Sequence, residues 1–173
     1  MGEWCIKVFN GTVNVYSAQE HCMVHGARLT GVENLDERAL IHAQSIPILR
    51  FLGVSEGSVW IGLKRRAKCI GIDHENSPGC VPWVPNAFKW TDHFTNTTTM
   101  MQFRPGDPDN YGHNQNYVYM HIIDGTIGEA GAFPGSLDDV DGHTSTSFQT
   151  LQYVRGFACG KKAKSLNSTI ING

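Results

Sequence analysis

The chain has 173 residues, of which 40% are hydrophobic and 17% are charged, and its formal net charge at pH 7 is −2. This near-neutral balance excludes a dedicated nucleic-acid binder, and the hydrophobic content excludes global disorder. No apolar run approaches the roughly 18 residues that a membrane-spanning helix needs. We therefore expect one domain with a sizeable core and no membrane insertion by this segment.

The first elements along the chain are predicted to be a β-hairpin and a helix. Residues 6–9 and 12–16 flank an Asn-Gly pair at residues 10–11, which is a strong hairpin-turn signal. Residues 17–20 have the spacing of a capping box, which places the start of the first helix there. Gly26 is suited to end this helix, because glycine adopts the left-handed conformation without strain.

A second helix and three strands are predicted further on. Residues 34–37 repeat the capping pattern and open a helix, which we expect to end before Pro47. Residues 59–63 form a short apolar strand candidate, and the strand pattern returns at residues 117–123 and 149–159. Helices followed by strands indicate an α+β fold.

A long segment without regular periodicity occupies residues 64–118. Loops of this length inside a compact domain are usually functional or disordered. We expect this one to be ordered around embedded aromatic anchors, which are Trp83, Phe88, Trp90 and Phe103. Residues 161–173 lack an apolar period and are predicted to be a flexible tail, so that the domain spans residues 1–160.

Sequons and cysteines indicate the compartment. Acceptor motifs for N-glycosylation occur at Asn10, Asn96 and Asn167. The five cysteines contain no C-x-x-C pair, which excludes a zinc ribbon and a thioredoxin-like redox site. Together these features favour a secreted or extracellular protein. The first residues do not form a signal peptide, so we expect a domain excised from a longer precursor.

Six short motifs lie in an order that resembles the C-type lectin-like domain. They are the strand at residues 4–9, the A-x-x-x-C spacing at residues 18–22, the helix entry at residues 26–41, WIGL at residues 60–63, FKWTD at residues 88–92 and GFAC at residues 156–159. The resemblance implies an α+β fold with two helices, small antiparallel sheets and a long irregular binding loop. It also implies a ligand-recognition module, often calcium-dependent, whose partners are glycans or glycoproteins.

The resemblance also implies a set of site residues. The primary site of the family consists of a Glu-Pro-Asn or Gln-Pro-Asp triplet, a later Glu and a Trp-Asn-Asp triplet. The matching positions of this chain hold Asp107, Asp109, Gln115, Asp138 and Asp139. Calcium takes roughly six to eight oxygen ligands, largely carboxylates and carbonyls. We therefore expect these five residues to bind calcium and sugar hydroxyls, with a cis bond at Pro108 aiming its neighbours at one point.

Several positions depart from that pattern. Asp107 is one methylene shorter than Glu, Gln115 is neutral, and Leu137 replaces the Trp. Tyr117 stands where the family carries a cysteine, so the disulfide of the binding loop is missing. The alternative is a calcium-independent protein- or glycan-interaction module of the same fold with a degenerate sugar site. In the simplest interpretation the acidic residues are solvated turn residues.

The alternative has its own candidate residues. The basic cluster at residues 64–68 is typical of a solvated face, but it also suits an anionic glycan or an acidic protein. Trp83 and Tyr111 can stack on a sugar or a peptide, although packing of Trp83 beneath its loop is the simpler interpretation.

We expect no enzymatic activity. His21 and His25 have the i, i+4 spacing of helical metal ligands, but no glutamate between them serves as a general base. No nucleophile motif accompanies the later histidines, and nothing in the sequence supplies an acid with the raised pKa that glycoside hydrolysis needs.

The cysteines suggest two pairings. Cys22 in the first helix and Cys159 in the last strand can close the domain end to end. Cys69 and Cys80 lie in one loop and can brace it. With these two pairs formed, Cys5 is left over, and the resemblance implies a partner that precedes the first residue.

Overall fold

Residues 4–73, 77–81, 85–143 and 151–163 are described by the computed structural model. In this part of the chain two helices and seven strands confirm the predicted α+β class. They are β1 (Trp4–Asn10), α1 (Val15–Val24), β2 (Arg28–Leu29), α2 (Leu35–Leu52), β3 (Glu56–Arg65), β4 (Phe88–Trp90), β5 (Tyr117–Ile123), β6 (Leu137–Val140) and β7 (Val154–Lys162).

The described strands form one mixed sheet in the order β1-β7-β3-β5-β6, with β2 also paired to β7 and β4 to β3. We expected small antiparallel sheets. The strands join into one sheet because β7, from the end of the chain, lies between β1 and β3. β7 is antiparallel to β1 and parallel to β3, so strand pairing brings the two ends of the domain together.

The first helix begins at Val15 rather than at Ser17. Asn14 is its N-cap, and the Asn14 side chain accepts a hydrogen bond from the backbone N–H of Ser17 at 2.9 Å. The predicted hairpin strand at residues 12–16 is therefore wrong, and β1 pairs with β7 instead. Gly26 follows the end of the helix with φ of 62°, as the sequence predicted.

The second helix begins where the sequence predicted, after Asn34, but it extends beyond its predicted end. The Asn34 side chain accepts a hydrogen bond from the backbone N–H three residues later, at 3.0 Å. Pro47 lies inside the helix, which ends only at Leu52. A proline removes one backbone donor and usually ends a helix. Here the buried face continues across it, from Ile41 to Leu49, and packing against the sheet outweighs that loss.

Strand β3 is buried on both faces, which explains the unbroken apolar stretch at residues 59–63 in its centre. Ile61 and Leu63 belong to the core cluster that also contains residues of α2. Trp60 belongs to the cluster that contains residues of α1, and its indole N–H donates to the carbonyl oxygen of Val13 at 2.7 Å. The two helices therefore pack against different core clusters of one sheet.

Both expected disulfides are present. Cys22–Cys159 joins α1 to β7 across 137 residues, and Cys69–Cys80 closes a loop across 11 residues. Cys5 is a free, exposed thiol in β1.

Aromatic side chains anchor the long loop, as predicted. Phe88 is fully buried, and Trp90 and Phe103 pack against the same core cluster. Trp83 lies outside the described residues.

The predicted domain limit at residue 160 falls inside β7, which continues to Lys162. Asn10 and Asn96 of the predicted glycosylation sites are exposed, whereas Asn167 lies outside the described residues. Within the described ranges, no helix is both long enough and apolar enough to cross a membrane.

Candidate ligand-binding site

One cavity of about 210 Å³ is lined by all five residues that the sequence singled out. We call it the acidic cavity. Its lining includes Asp107, Asp109 and Gln115 from the long loop and Asp138 and Asp139 from β6. Pairing of β6 with β5 fixes the positions of the two β6 aspartates, because Asp138 lies opposite Tyr119 and Asp139 lies opposite Val118.

Three carboxylates converge in the acidic cavity. One oxygen each from Asp107, Asp138 and Asp139 lies within 4.8 Å of the other two. The peptide bond between Asp107 and Pro108 is cis, as expected. Asp138 and Asp139 are buried, and Asp107 is half-buried, so these are not the solvated turn residues of the simplest interpretation.

Arg104 lies among these carboxylates. Its Nε atom is 2.5 Å from Oδ2 of Asp107, and its Nη2 atom is 3.1 Å from Oδ2 of Asp138. Sequence reasoning missed this arginine, although its i, i+3 spacing from Asp107 was a usable signal. The guanidinium group therefore supplies a positive charge where the family resemblance led us to expect a metal ion.

Arg65 pairs with the third carboxylate. Its Nη2 atom donates to Oδ2 of Asp139 at 2.6 Å, and both side chains are 0% exposed. The two Asp139 oxygens also accept hydrogen bonds from the backbone N–H groups of Asp109 and Asn110, each at 3.0 Å. The sequence placed Arg65 in a solvated basic cluster. That interpretation is wrong for this residue, which is buried and stacks on the Phe88 ring at 4.6 Å.

The two remaining predicted residues hold the rim of the acidic cavity. Oδ1 of Asp109 and Oε1 of Gln115 both accept from the backbone N–H of Tyr111, at 2.9 and 2.7 Å. The Tyr111 side chain is 80% exposed at the mouth of the cavity. The rim therefore combines polar side chains with one exposed aromatic ring.

Burial destabilises the ionised form of the three converging carboxylates in the acidic cavity and thereby raises their pKa values. It raises the pKa of Asp107 to about 6, against the charge of Arg104. Burial, together with the Asp107 charge, raises the pKa of Asp138 to about 7. Burial also raises the pKa of Asp139 to about 7, although Arg65 and two backbone N–H groups oppose the shift. The expectation that no acid here has a raised pKa is therefore wrong.

A Ser-His-Asp series lies behind the acidic cavity. Nδ1 of His121 is 3.0 Å from Oγ of Ser58, and Nε2 of His121 is 3.7 Å from Oδ2 of Asp138. The Ser58 hydroxyl donates to the Leu151 carbonyl oxygen at 2.6 Å, and Ser58 and His121 are 0% exposed. Burial lowers the pKa of His121 to about 3. A nucleophile must reach its substrate, so we assign this buried series a structural role.

A family model described as C-type lectin domain-containing protein 141/158 matches residues 1–162. The chain therefore belongs to the C-type lectin domain family, and its fold is the C-type lectin-like fold. No curated protein sequence matches the chain.

Solved structures show the same fold. A calcium-independent type II antifreeze protein superposes with a TM-score of 0.58 at 18% identity, covering 95% of this chain and 90% of that protein. The cow C-type carbohydrate-recognition domain of CD23, solved with a GlcNAc2Man3 oligosaccharide, superposes with a TM-score of 0.55 at 17% identity. The match covers 95% of this chain and 92% of that domain. The C-type lectin CEL-I from Cucumaria echinata superposes with a TM-score of 0.55 at 18% identity, and the match covers 92% of this chain and 91% of CEL-I. At these identities the similarity concerns the fold alone.

Proposed function

We propose that the acidic cavity recognises hydroxyl-rich glycan or glycoprotein ligands without calcium, with Arg104 and Arg65 as its internal cations. The observation that carries the proposal is the position of Arg104, whose guanidinium contacts both Asp107 and Asp138. A charge-assisted contact of this kind is stronger than a neutral hydrogen bond. The single positive charge of Arg104 is thereby shared between two of the three converging carboxylates.

The donor set fits calcium poorly as it stands. Arg104 contacts Asp107 and Asp138, and both oxygens of Asp139 are occupied by Arg65 and backbone N–H groups. At the rim, Asp109 and Gln115 each direct an oxygen to a backbone N–H. Calcium needs roughly six to eight oxygens at once. An ion bound by all five side chains would have to displace Arg104 first.

The rim suits a small polyol. Carboxylate and amide oxygens accept hydrogen bonds from hydroxyl groups, and the exposed Tyr111 ring offers a flat apolar surface. The cavity of about 210 Å³ is smaller than a drug-sized pocket and suits one sugar ring. A site of this size binds weakly, so useful affinity requires several copies. Two disulfides support an extracellular setting, where glycans are abundant.

Calcium-dependent carbohydrate binding is the second candidate. Four aspartates line the cavity, against Arg104 there and Arg65 behind Asp139, which leaves an excess of two negative charges when all are ionised. Oδ2 of Asp107 is buried and accepts no hydrogen bond from the residues that the structure describes, although it contacts Arg104. In this candidate Asp107, Asp109, Gln115, Asp138 and Asp139 would hold the ion, and its charge would balance the excess.

Thermal unfolding with calcium separates the two candidates. Under the main proposal, millimolar calcium leaves the melting temperature of the wild type unchanged, and glycan-array binding survives EDTA. Arg104→Met frees Asp107 and Asp138, so this variant is expected to gain a calcium-dependent increase in melting temperature. Arg38→Met is the matched control, because it removes the same charge from an arginine that donates to Gln102 outside the cavity. A calcium-induced rise of more than about 2 °C in the wild type, reversed by EDTA, would favour the second candidate.

A further inference from the structure

A second cavity, of about 490 Å³, lies between α1 and the sheet. It is lined by residues of α1, β2, β3 and β5 and shares none of them with the acidic cavity. Its volume falls within the range of roughly 300–1,000 Å³ that is usual for small-molecule sites. We call it the tyrosine cavity, after Tyr16 and Tyr117 in its wall.

The wall and floor of the tyrosine cavity are mostly apolar, with two uncharged polar side chains in the described part of the lining. The rings of Tyr16 and Tyr117 meet edge to face, with centroids 5.4 Å apart. Behind them the lining consists of buried side chains, among which are Leu29, Ile61 and Leu63. An aromatic or aliphatic part of a ligand would therefore be removed from water and would contact apolar side chains here.

The mouth of the tyrosine cavity carries more positive than negative charge. Lys64 places its Nζ atom over the Tyr117 ring, 4.9 Å from the centroid. Arg28, on β2, is exposed and forms no ion pair with any residue of the described ranges. Among the described residues of the lining, Glu20 is the one carboxylate. Two cations against one anion make this mouth complementary to a negatively charged group.

We propose that the tyrosine cavity binds a small amphipathic anion, namely an aromatic or aliphatic body that carries one carboxylate or sulfonate group. The body packs against the Tyr16–Tyr117 ring pair over the apolar floor, and the anionic group faces Lys64 and Arg28 at the mouth. This site needs no calcium and is independent of ligand binding in the acidic cavity.

Calorimetric titration with two matched probes tests the site. Naphthalene-2-sulfonate carries the anion, and 2-naphthol has the same ring system without a full charge, so the sulfonate is expected to bind more tightly. Lys64→Gln and Arg28→Gln should each weaken sulfonate binding about fivefold and leave 2-naphthol binding nearly unchanged. Glu20→Gln should strengthen sulfonate binding, and Tyr16→Ala should weaken binding of both probes.

Two controls separate this site from charge effects and from the acidic cavity. Lys68→Gln makes the same charge change at an exposed residue outside the lining, and it should leave the affinity for naphthalene-2-sulfonate unchanged. EDTA and Arg104→Met should also leave it unchanged, even if they alter glycan binding. The proposal is overturned if the sulfonate binds no better than 2-naphthol, if Lys64→Gln and Lys68→Gln behave alike, or if neither probe binds at millimolar concentration.

Discussion

Arg65 donates to Asp139 across 2.6 Å in a pair of side chains that are both 0% exposed. Arg65 comes from β3 and Asp139 from β6, two strands that do not pair with each other. Nε of Arg65 also donates to the Gln115 carbonyl oxygen at 3.0 Å, and Asp139 accepts from the backbone N–H groups of Asp109 and Asn110. This pair therefore fixes the rim of the acidic cavity to the sheet.

Removing one partner of this pair should be strongly destabilising. Arg65→Met leaves the Asp139 carboxylate buried without its guanidinium partner, and loss of one member of a buried ion pair typically costs about 3–5 kcal/mol. We expect urea unfolding to show a loss of this size. Arg66→Met is the control, because the Arg66 side chain donates to the Asn86 carbonyl oxygen in an exposed contact. That variant should stay within about 0.5 kcal/mol of the wild type.

The double variant Arg65→Met, Asp139→Leu distinguishes an unpaired charge from a general packing defect. Replacing both members of a buried pair by apolar residues is often neutral or stabilising. We therefore expect the double variant to recover part of the stability that Arg65→Met loses. Asp139→Leu alone measures the loss of the acceptor of the Asp109 and Asn110 backbone N–H groups. If the losses of the two single variants simply add in the double variant, the ion pair is not the cause of the loss.

The stability contributed by Asp138 should fall as the pH rises. Burial, with the Asp107 charge, raises its pKa from the ordinary value of 3.8 to about 7 in the folded protein. The folded state therefore retains a proton that the unfolded state releases between these values. The contribution is complete below the unfolded pKa and is lost as the pH rises towards 7. Relative to Asp138→Asn, the wild type should lose stability between pH 4 and pH 7.

Urea unfolding at pH 4, 5.5 and 7 in EDTA measures this difference. His121 acts in the opposite sense, because burial lowers its pKa to about 3, but it is present and buried in both proteins, so the comparison isolates the effect of replacing Asp138. Asp73→Asn, at an exposed loop position, is the control for the Asp-to-Asn change itself. A difference between the wild type and Asp138→Asn that is constant or grows with pH would contradict the assignment.

The two disulfides should contribute unequally to stability. In the chain-entropy model, closing the 137-residue separation of Cys22–Cys159 contributes about 5 kcal/mol. The 11-residue separation of Cys69–Cys80 corresponds to about 3 kcal/mol. Double alanine variants of each pair, compared by urea unfolding, should show this order. Cys5→Ala is the control, since Cys5 is free and exposed. A larger loss for the short loop would contradict the model.

Local sequence signals predicted the helix ends well where the hydrogen-bond partner lies within a few residues along the chain. Asn34 caps α2 as predicted, because the cap and the N–H that it accepts lie three residues apart. The end of α2 was missed because Pro47 is tolerated only through packing of Ile41 and Leu49, which depends on distant strands. The missing second hairpin strand has the same cause, since the partner of β1 is β7 from the end of the chain.

In the acidic cavity, too, motifs predicted some residues, whereas contacts between residues distant in sequence were missed. The family motifs placed Asp107 and Asp138 together, although they lie far apart in the sequence. They did not reveal Arg104 or the burial of Arg65, because both depend on which charged side chain the folded loop encloses. The basic cluster of the sequence therefore contains one buried structural arginine among more exposed neighbours.

Tyr111 should contribute to glycan binding with little effect on stability. Its ring is 80% exposed at the mouth of the acidic cavity, and a tyrosine ring that a ligand covers supplies a large apolar contact surface. Tyr111→Ala is expected to weaken binding of a glycan-array hit about tenfold and to change stability by less than about 0.5 kcal/mol. Tyr111→Phe should retain most of the affinity, because the stacking surface remains.

A matched exposed aromatic separates this role from general surface hydrophobicity. Phe51, near the end of α2, is 85% exposed and lies outside the acidic cavity, so Phe51→Ala should leave the affinity for the same glycan unchanged. The measurement is a competition assay with the array hit in EDTA. EDTA keeps calcium out of the comparison, so that only the contacts of the chain's own side chains are measured. If Tyr111→Ala binds as tightly as Phe51→Ala, the ligand does not stack on the rim, and the glycan contacts must lie elsewhere on the domain.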